Sequence, residues 1–132
     1  MLDLTTNDEV LNRTIDYCRE KGTTLPTFAM MKDPSLIHAK IKETLRSTGL
    51  WDVHPANLYR INWKNAPRDR GGLFGGINHI NIPPELSGCP AKIIVLVGQW
   101  FPTGAHKVGA TYGCLVPRLI TGQFDPLSTK AV

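Results

Sequence analysis

The sequence predicts an α/β chain, with N-terminal helices followed by part of a parallel-sheet α/β unit. Three observations carry this expectation. Two amphipathic helical patterns, each with start and stop signals, occupy the first third of the chain. One continuous apolar run, "AKIIVLVG" at 91–98, has the length and β-branched content of a central strand covered on both faces. A third helical pattern follows that run after the short loop "WFPTG", which is the strand–loop–helix order of α/β folds. The expected division is a helical region over 1–56 and a partial α/β domain over 57–132, truncated at its C-terminus.

The first helix is read in "TTNDEVLNRTIDYCREKG". Thr6 and Glu9 have capping-box spacing, Asp8 suits the positive helix start, and Val10, Leu11, Ile15 and Cys18 recur at helical intervals. Gly22 can end the helix in a left-handed conformation. "TTLPTFAMMK" reads as a connector whose Phe28, Met30 and Met31 enter the core. In "DPSLIHAKIKETLRSTG" Asp33 caps a second helix, Pro34 takes its first position and Gly49 stops it. Leu36, Ile37, Ile41 and Leu45 form its apolar stripe, with His38 as a structural neighbour.

Beyond this point the alternation in "NLYRINW" predicts a short strand. "NAPRDRGGLFGG" is a loop. Its glycines, Gly71, Gly72, Gly75 and Gly76, precede no lysine-serine or lysine-threonine pair, which excludes a P-loop. "INHINI" is a second short strand and "PPELSG" a turn or single helical turn. A helix is expected from about Gly104 to Val116, capped by Thr103 and closed by Pro117. "TKAV" at the end reads as the opening of a further strand.

Composition narrows the function classes. With 132 residues, 42% hydrophobic and 20% charged, the chain suffices for one small domain with a core. No apolar run has the length of a membrane span, roughly 18 residues or more. "MLDLTTNDEV" lacks the basic-then-apolar pattern of a signal peptide, so the cytoplasm is the default compartment. Cys18, Cys89 and Cys114 are odd in number and widely spaced, which argues against a disulfide framework. His38, His54, His79 and His106 are scattered without a zinc spacing, so no metal is expected. The formal charge of +4 is mild. The densest basic stretch, "YRINWKNAPRDR", interleaves Arg60, Lys64, Arg68 and Arg70 with Tyr59 and Trp63. This is the pattern of a small single-stranded nucleic-acid module, or of a solvated edge whose aromatics are buried. The second is preferred and no nucleic-acid partner is expected.

Lys107 stands out chemically. Thr103 is read as the cap, Gly104, Ala105 and His106 as the first turn, and Lys107 follows. The free amides at such an end carry partial positive charge and can hold an anion such as a phosphate. A cation is out of place there, so the amine is biased towards the neutral form that Schiff-base chemistry needs. Ala105, Gly109 and Gly113 lie four apart and form a stripe poor in side chains. Each helical glycine costs about 1 kcal/mol relative to alanine, which points to close approach of the helix to the sheet or to a flat ligand.

These residues carry a resemblance. The order apolar strand, short loop and "TGAHK" resembles the cofactor-lysine segment of tryptophan synthase β subunits, in the fold-type II family of pyridoxal-phosphate enzymes. The longer string "VGQWFPTGAHKVGATYGCLVPRLITGQFDP" is similar to a cysteine-synthase-like branch of the same family, and "LFGGINHINIPPELSGCPAKIIVLVG" to the stretch by which these enzymes enter their first domain. The resemblance covers roughly 73–132.

It implies a fold-type II pyridoxal-phosphate lyase or synthase acting on amino acids by β-elimination or β-replacement. Lys107 would form the internal aldimine with pyridoxal 5'-phosphate and shuttle the α-proton. His106 would lie near the cofactor phosphate, and Thr103, Gly104 and Ala105 would form the loop that brings the lysine under the ring. A small-molecule amino-acid substrate, no membrane and a homo-oligomer of the full-length protein are implied with it. The chain departs from the family where Gly98 and Gln99 stand in place of an acidic residue after the strand. The family's serine/threonine-glycine-asparagine loop and its later glycine-rich phosphate loop do not follow Lys107. The expectation is therefore an N-terminal fragment, inactive alone. A non-catalytic remnant that assembles through its N-terminal helices is the remaining alternative.

Overall fold

A computed structural model describes residues 5–66 and 73–130. Arg68, Arg70, Gly71 and Gly72 of the expected basic loop lie outside the described residues, as do Ala131 and Val132 of the expected terminal strand. The protein is mixed α/β and divides into two compact units, Met1–Thr24 with Gly109–Val132, and Leu25–Val108. The expected division between 56 and 57 falls inside the second of these.

In the first unit, α1 spans Asp8–Glu20. Its cap is Asn7 rather than Thr6: the Asn7 side chain accepts from the Val10 N–H at 3.1 Å. Its end follows expectation. Gly22 is left-handed, with φ 61°, and the N–H groups of Gly22 and Thr23 return to the carbonyls of Arg19 and Cys18 at 3.1 and 2.8 Å. These two bonds satisfy carbonyls that the helix itself cannot. A second left-handed glycine, Gly122 with φ 77°, leaves space for Val10, whose Cγ2 would stand 3.0 Å from any Cβ placed there. Arg13 reaches Asp125 at 3.7 Å. The helix α5 spans Lys107–Ile120. It passes through Pro117, which was expected to close it, and its Tyr112 is buried.

The second unit holds the main core, formed by Ile37, Leu45, Ala56 and Tyr59, with Met30, Ile41, Leu73 and Phe74 packed against it. The expected connector at 23–32 contains a short helix, α2, over Phe28–Lys32, capped by Thr27. Met30 joins the core, whereas Phe28 is exposed. The expected second helix is two pieces. Asp33 caps only a tight 3₁₀ turn, Pro34–Leu36. Ile37 then leaves helical geometry and is buried, and α3 starts anew at Ala39–Ser47 with His38 as its cap. The His38 Nδ1 accepts from the Lys40 N–H at 3.2 Å, which is the structural role expected of it.

The largest correction concerns "NLYRINW". No strand forms there. Pro55–Arg60 is a 3₁₀ turn, started by Pro55 and capped by His54 Nδ1, which accepts from the Ala56 N–H at 3.1 Å. The reason is Arg60. Its guanidinium turns inward and donates to the carbonyls of Leu45 and Thr48, both at 2.6 Å, and to Asn57 Oδ1 at 3.0 Å. It thereby serves carbonyls that α3 leaves unpaired at its C-terminus. Three asparagines complete a buried polar knot. Asn57 bonds the carbonyls of Gly49 and Asp52, Asn62 that of Met31, and Asn65 those of Arg60 and Trp100.

Two strands form among the described residues, β1 over His79–Ile82 and β2 over Ile93–Leu96, with the one-turn helix α4 over Pro84–Ser87 between them. They pair antiparallel, Ile80 opposite Val95 and Ile82 opposite Ile93. A parallel unit was expected. The connection 83–92 is too short for the crossover that a parallel pair requires, roughly a dozen residues or more. β2 is also not covered on both faces: Ile94, Val95 and Leu96 are 49%, 44% and 50% exposed.

Candidate functional site

The segment from Phe101 to Lys107 is built differently from the first helical turn that was expected. Phe101 and Pro102 are buried and anchor it. Pro102–Gly104 forms a 3₁₀ turn in which Thr103 and Gly104 are both left-handed, with φ 62° and 70°. Thr103 is therefore no helix cap. Its N–H donates to the Leu50 carbonyl at 3.0 Å, and the Gly104 N–H donates to the Phe101 carbonyl at 2.9 Å. Gly104 lies under Trp51, whose Cζ2 would stand 3.5 Å from a Cβ there. Ala105 is extended, and α5 begins at Lys107 itself.

His106 is held by its ring. The imidazole stacks on Trp63, with centroids 5.6 Å apart and planes 27° apart. Its other constraint is Gly98, where a Cβ would stand 3.1 Å from His106 Cβ and 3.3 Å from both its backbone nitrogen and Nδ1. A side chain at 98 would push His106 away by a few tenths of an ångström. Trp63 is fixed in turn. Phe101 meets it edge-on at 5.0 Å, and its carbonyl accepts from the Asn78 N–H and Nδ2 at 3.1 and 3.3 Å.

The structure thus brings Thr103, Gly104, Ala105, His106 and Lys107 onto one anchored stretch of backbone. It gives them unequal chemical capacities. Thr103 and Gly104 have their amides engaged within the fold, so they shape the turn rather than offer donors to an anion. His106 and Lys107 both present exposed side chains. Lys107 thus presents an exposed side chain on the first residue of a helix, behind a doubly anchored turn. The glycine stripe does not show close packing at its far end: a Cβ built on Gly113 meets nothing within 4 Å. Among the described residues, no three His, Cys, Asp or Glu side chains cluster to hold a metal ion, and no helix is long and apolar enough to cross a membrane.

The sequence sets Trp63 in a basic-aromatic stretch and Gly98 where the chain departs from a family pattern, and neither position by itself points to Lys107. The available signal was Gly98, a residue without a side chain between an apolar strand and a loop. Of the basic stretch, the described cations Arg60 and Lys64 are engaged internally. Arg60 is buried, and Lys64 donates to the Lys32 carbonyl at 3.0 Å, at the end of α2. Comparison with known proteins returns no matching family model, no matching curated protein and no matching solved structure.

Proposed function

We propose that this chain carries the cofactor-lysine segment of a pyridoxal-phosphate lyase or synthase acting on amino acids. Lys107 is the residue that holds the cofactor. The observation that carries the reading is the placement of Lys107: an exposed lysine that opens α5 directly behind the anchored turn at 102–104. The residues fit the group in the one respect that this segment must supply, an exposed lysine side chain on anchored backbone. When bound, the cofactor supplies an electron sink for breaking bonds at the amino-acid α-carbon. The chain's own part would be to hold the cofactor at Lys107 Nζ and to hold and move a proton at that same atom. Pro102, Thr103 and Gly104 fix the backbone that aims it. The nucleic-acid alternative is weakened by the internal bonds of Arg60 and Lys64.

The exposed apolar face of β2 is in keeping with a larger fold that covers it, as the two-domain family would. The test is reductive labelling. Incubation of the 132-residue protein with pyridoxal phosphate, then borohydride and peptide mass mapping, should place the adduct on Lys107 in preference to Lys92 and Lys130. Labelling spread evenly over the lysines would count against the reading.

A further inference from the structure

The stacking of Trp63 on His106 reaches further than local packing. His106 is the residue immediately before α5, so whatever fixes His106 fixes where the helix starts. Two features bear on it: the Trp63 ring, at 5.6 Å and 27°, and the empty Cβ position of Gly98, 3.1 Å from His106 Cβ. Trp63 is itself anchored by Phe101, which precedes the strained turn, and by Asn78, which precedes β1. The clamp therefore joins the loop at 60–66, the start of the β ribbon and the residue before Lys107.

We propose that Trp63 is a positioning residue for Lys107, acting by stacking on His106 and so setting the register at which α5 begins. The inference rests on the reading of Lys107 as the carbonyl-reactive amine, but its physical content stands apart from it. A His106 held by its ring face needs the ring, not the nitrogens. A phenyl group at 106 keeps the clamp and an alanine loses it.

The labelling chemistry provides one readout. Lys107 Nζ attacks the aldehyde carbon, water leaves as the C=N bond forms, and hydride from borohydride fixes the adduct as a secondary amine. Trp63→Leu should lower the preference for Lys107 over Lys92 by about fivefold, the order of an aromatic pair's contribution. Trp63→Phe and His106→Phe should keep it, and His106→Ala should lose it. Gly98→Ala should lower it by a smaller factor, since the methyl group displaces His106. The second readout is independent of any aldehyde: amide hydrogen exchange over the first turn of α5, which should quicken in Trp63→Leu and recover in Trp63→Phe.

A Trp63→Leu protein that keeps a native circular dichroism spectrum, unchanged exchange at α5 and unchanged Lys107 preference overturns the proposal. So does a His106→Phe protein that behaves like His106→Ala, because the nitrogens would then be the working part. If the wild-type protein labels without preference while exchange at α5 still responds to Trp63, the cofactor-lysine reading fails and the clamp stands.

Discussion

The Arg60 knot and the β1–β2 ribbon invert the usual relation between polarity and burial. Asn57, Arg60, Asn62 and Asn65 are 6%, 5%, 4% and 2% exposed, whereas Ile80, Ile94, Val95 and Leu96 are about half exposed. The knot is buried because its side chains complete backbone hydrogen bonding that α2, α3 and the following loops leave open, and a buried unpaired carbonyl is expensive. The ribbon is exposed because two strands have too little surface to bury themselves. Burial in this protein follows the need for partners as much as hydrophobicity.

The contrast is open to measurement. Arg60→Ala strands the carbonyls of Leu45 and Thr48 and Asn57 Oδ1, each at a cost of about 1–3 kcal/mol, so a loss of about 4 kcal/mol in urea unfolding is expected. A loss below about 1 kcal/mol would mean that water replaces the guanidinium and the knot is not a stabilising element. Leu45→Ala, at the fully buried centre of the apolar core, should cost about 3 kcal/mol in the same assay. Val95→Thr on the ribbon should change stability by less than about 0.5 kcal/mol. If Val95→Thr costs as much as Leu45→Ala, the ribbon is core and the contrast collapses.

The smallest effect concerns an exposed polar cap. The Asp33 carboxylate is held below its ordinary value, chiefly by the Ser35 hydroxyl, then by the Ser35 N–H, with smaller help from Lys64 and Lys42. A carboxylate lowered in the folded state favours folding above its ordinary value, and that contribution is lost as pH falls through the lowered one. Asp33→Asn should therefore lower stability slightly at neutral pH, leave strongly acid pH almost unchanged, and so flatten the acid limb of a stability–pH curve. A variant whose acid limb matches that of the wild type would show that the cap is not felt.

Local signals carried much of the fold. The end of α1 at Gly22, the strand in "INHINI", the single turn after Pro84 and the order strand, loop and helix around Lys107 were all readable from residues close in sequence. What escaped depended on distant partners. Arg60 bonds carbonyls 12 and 15 positions earlier, and the alternation of "NLYRINW" gives no hint of them. The antiparallel pairing depended on the length of 83–92, which apolar content alone does not reveal. At the candidate site, Lys107 was legible as an unusual lysine. The turn ahead of it was not, because Thr103 is held left-handed by a carbonyl from Leu50, far away in sequence.

That turn has a consequence for engineering. Thr103 is the one non-glycine with positive φ among the described residues, and a β-branched side chain is poorly suited to that geometry. The backbone ahead of Lys107 is a cocked spring, latched by the Leu50 carbonyl. Thr103→Gly should release it and raise the melting temperature, with a gain of about 1 kcal/mol. Such a gain would come at the point where the proposed chemistry needs a stiff approach. Heat resistance and precise aim would then be opposing demands on one residue.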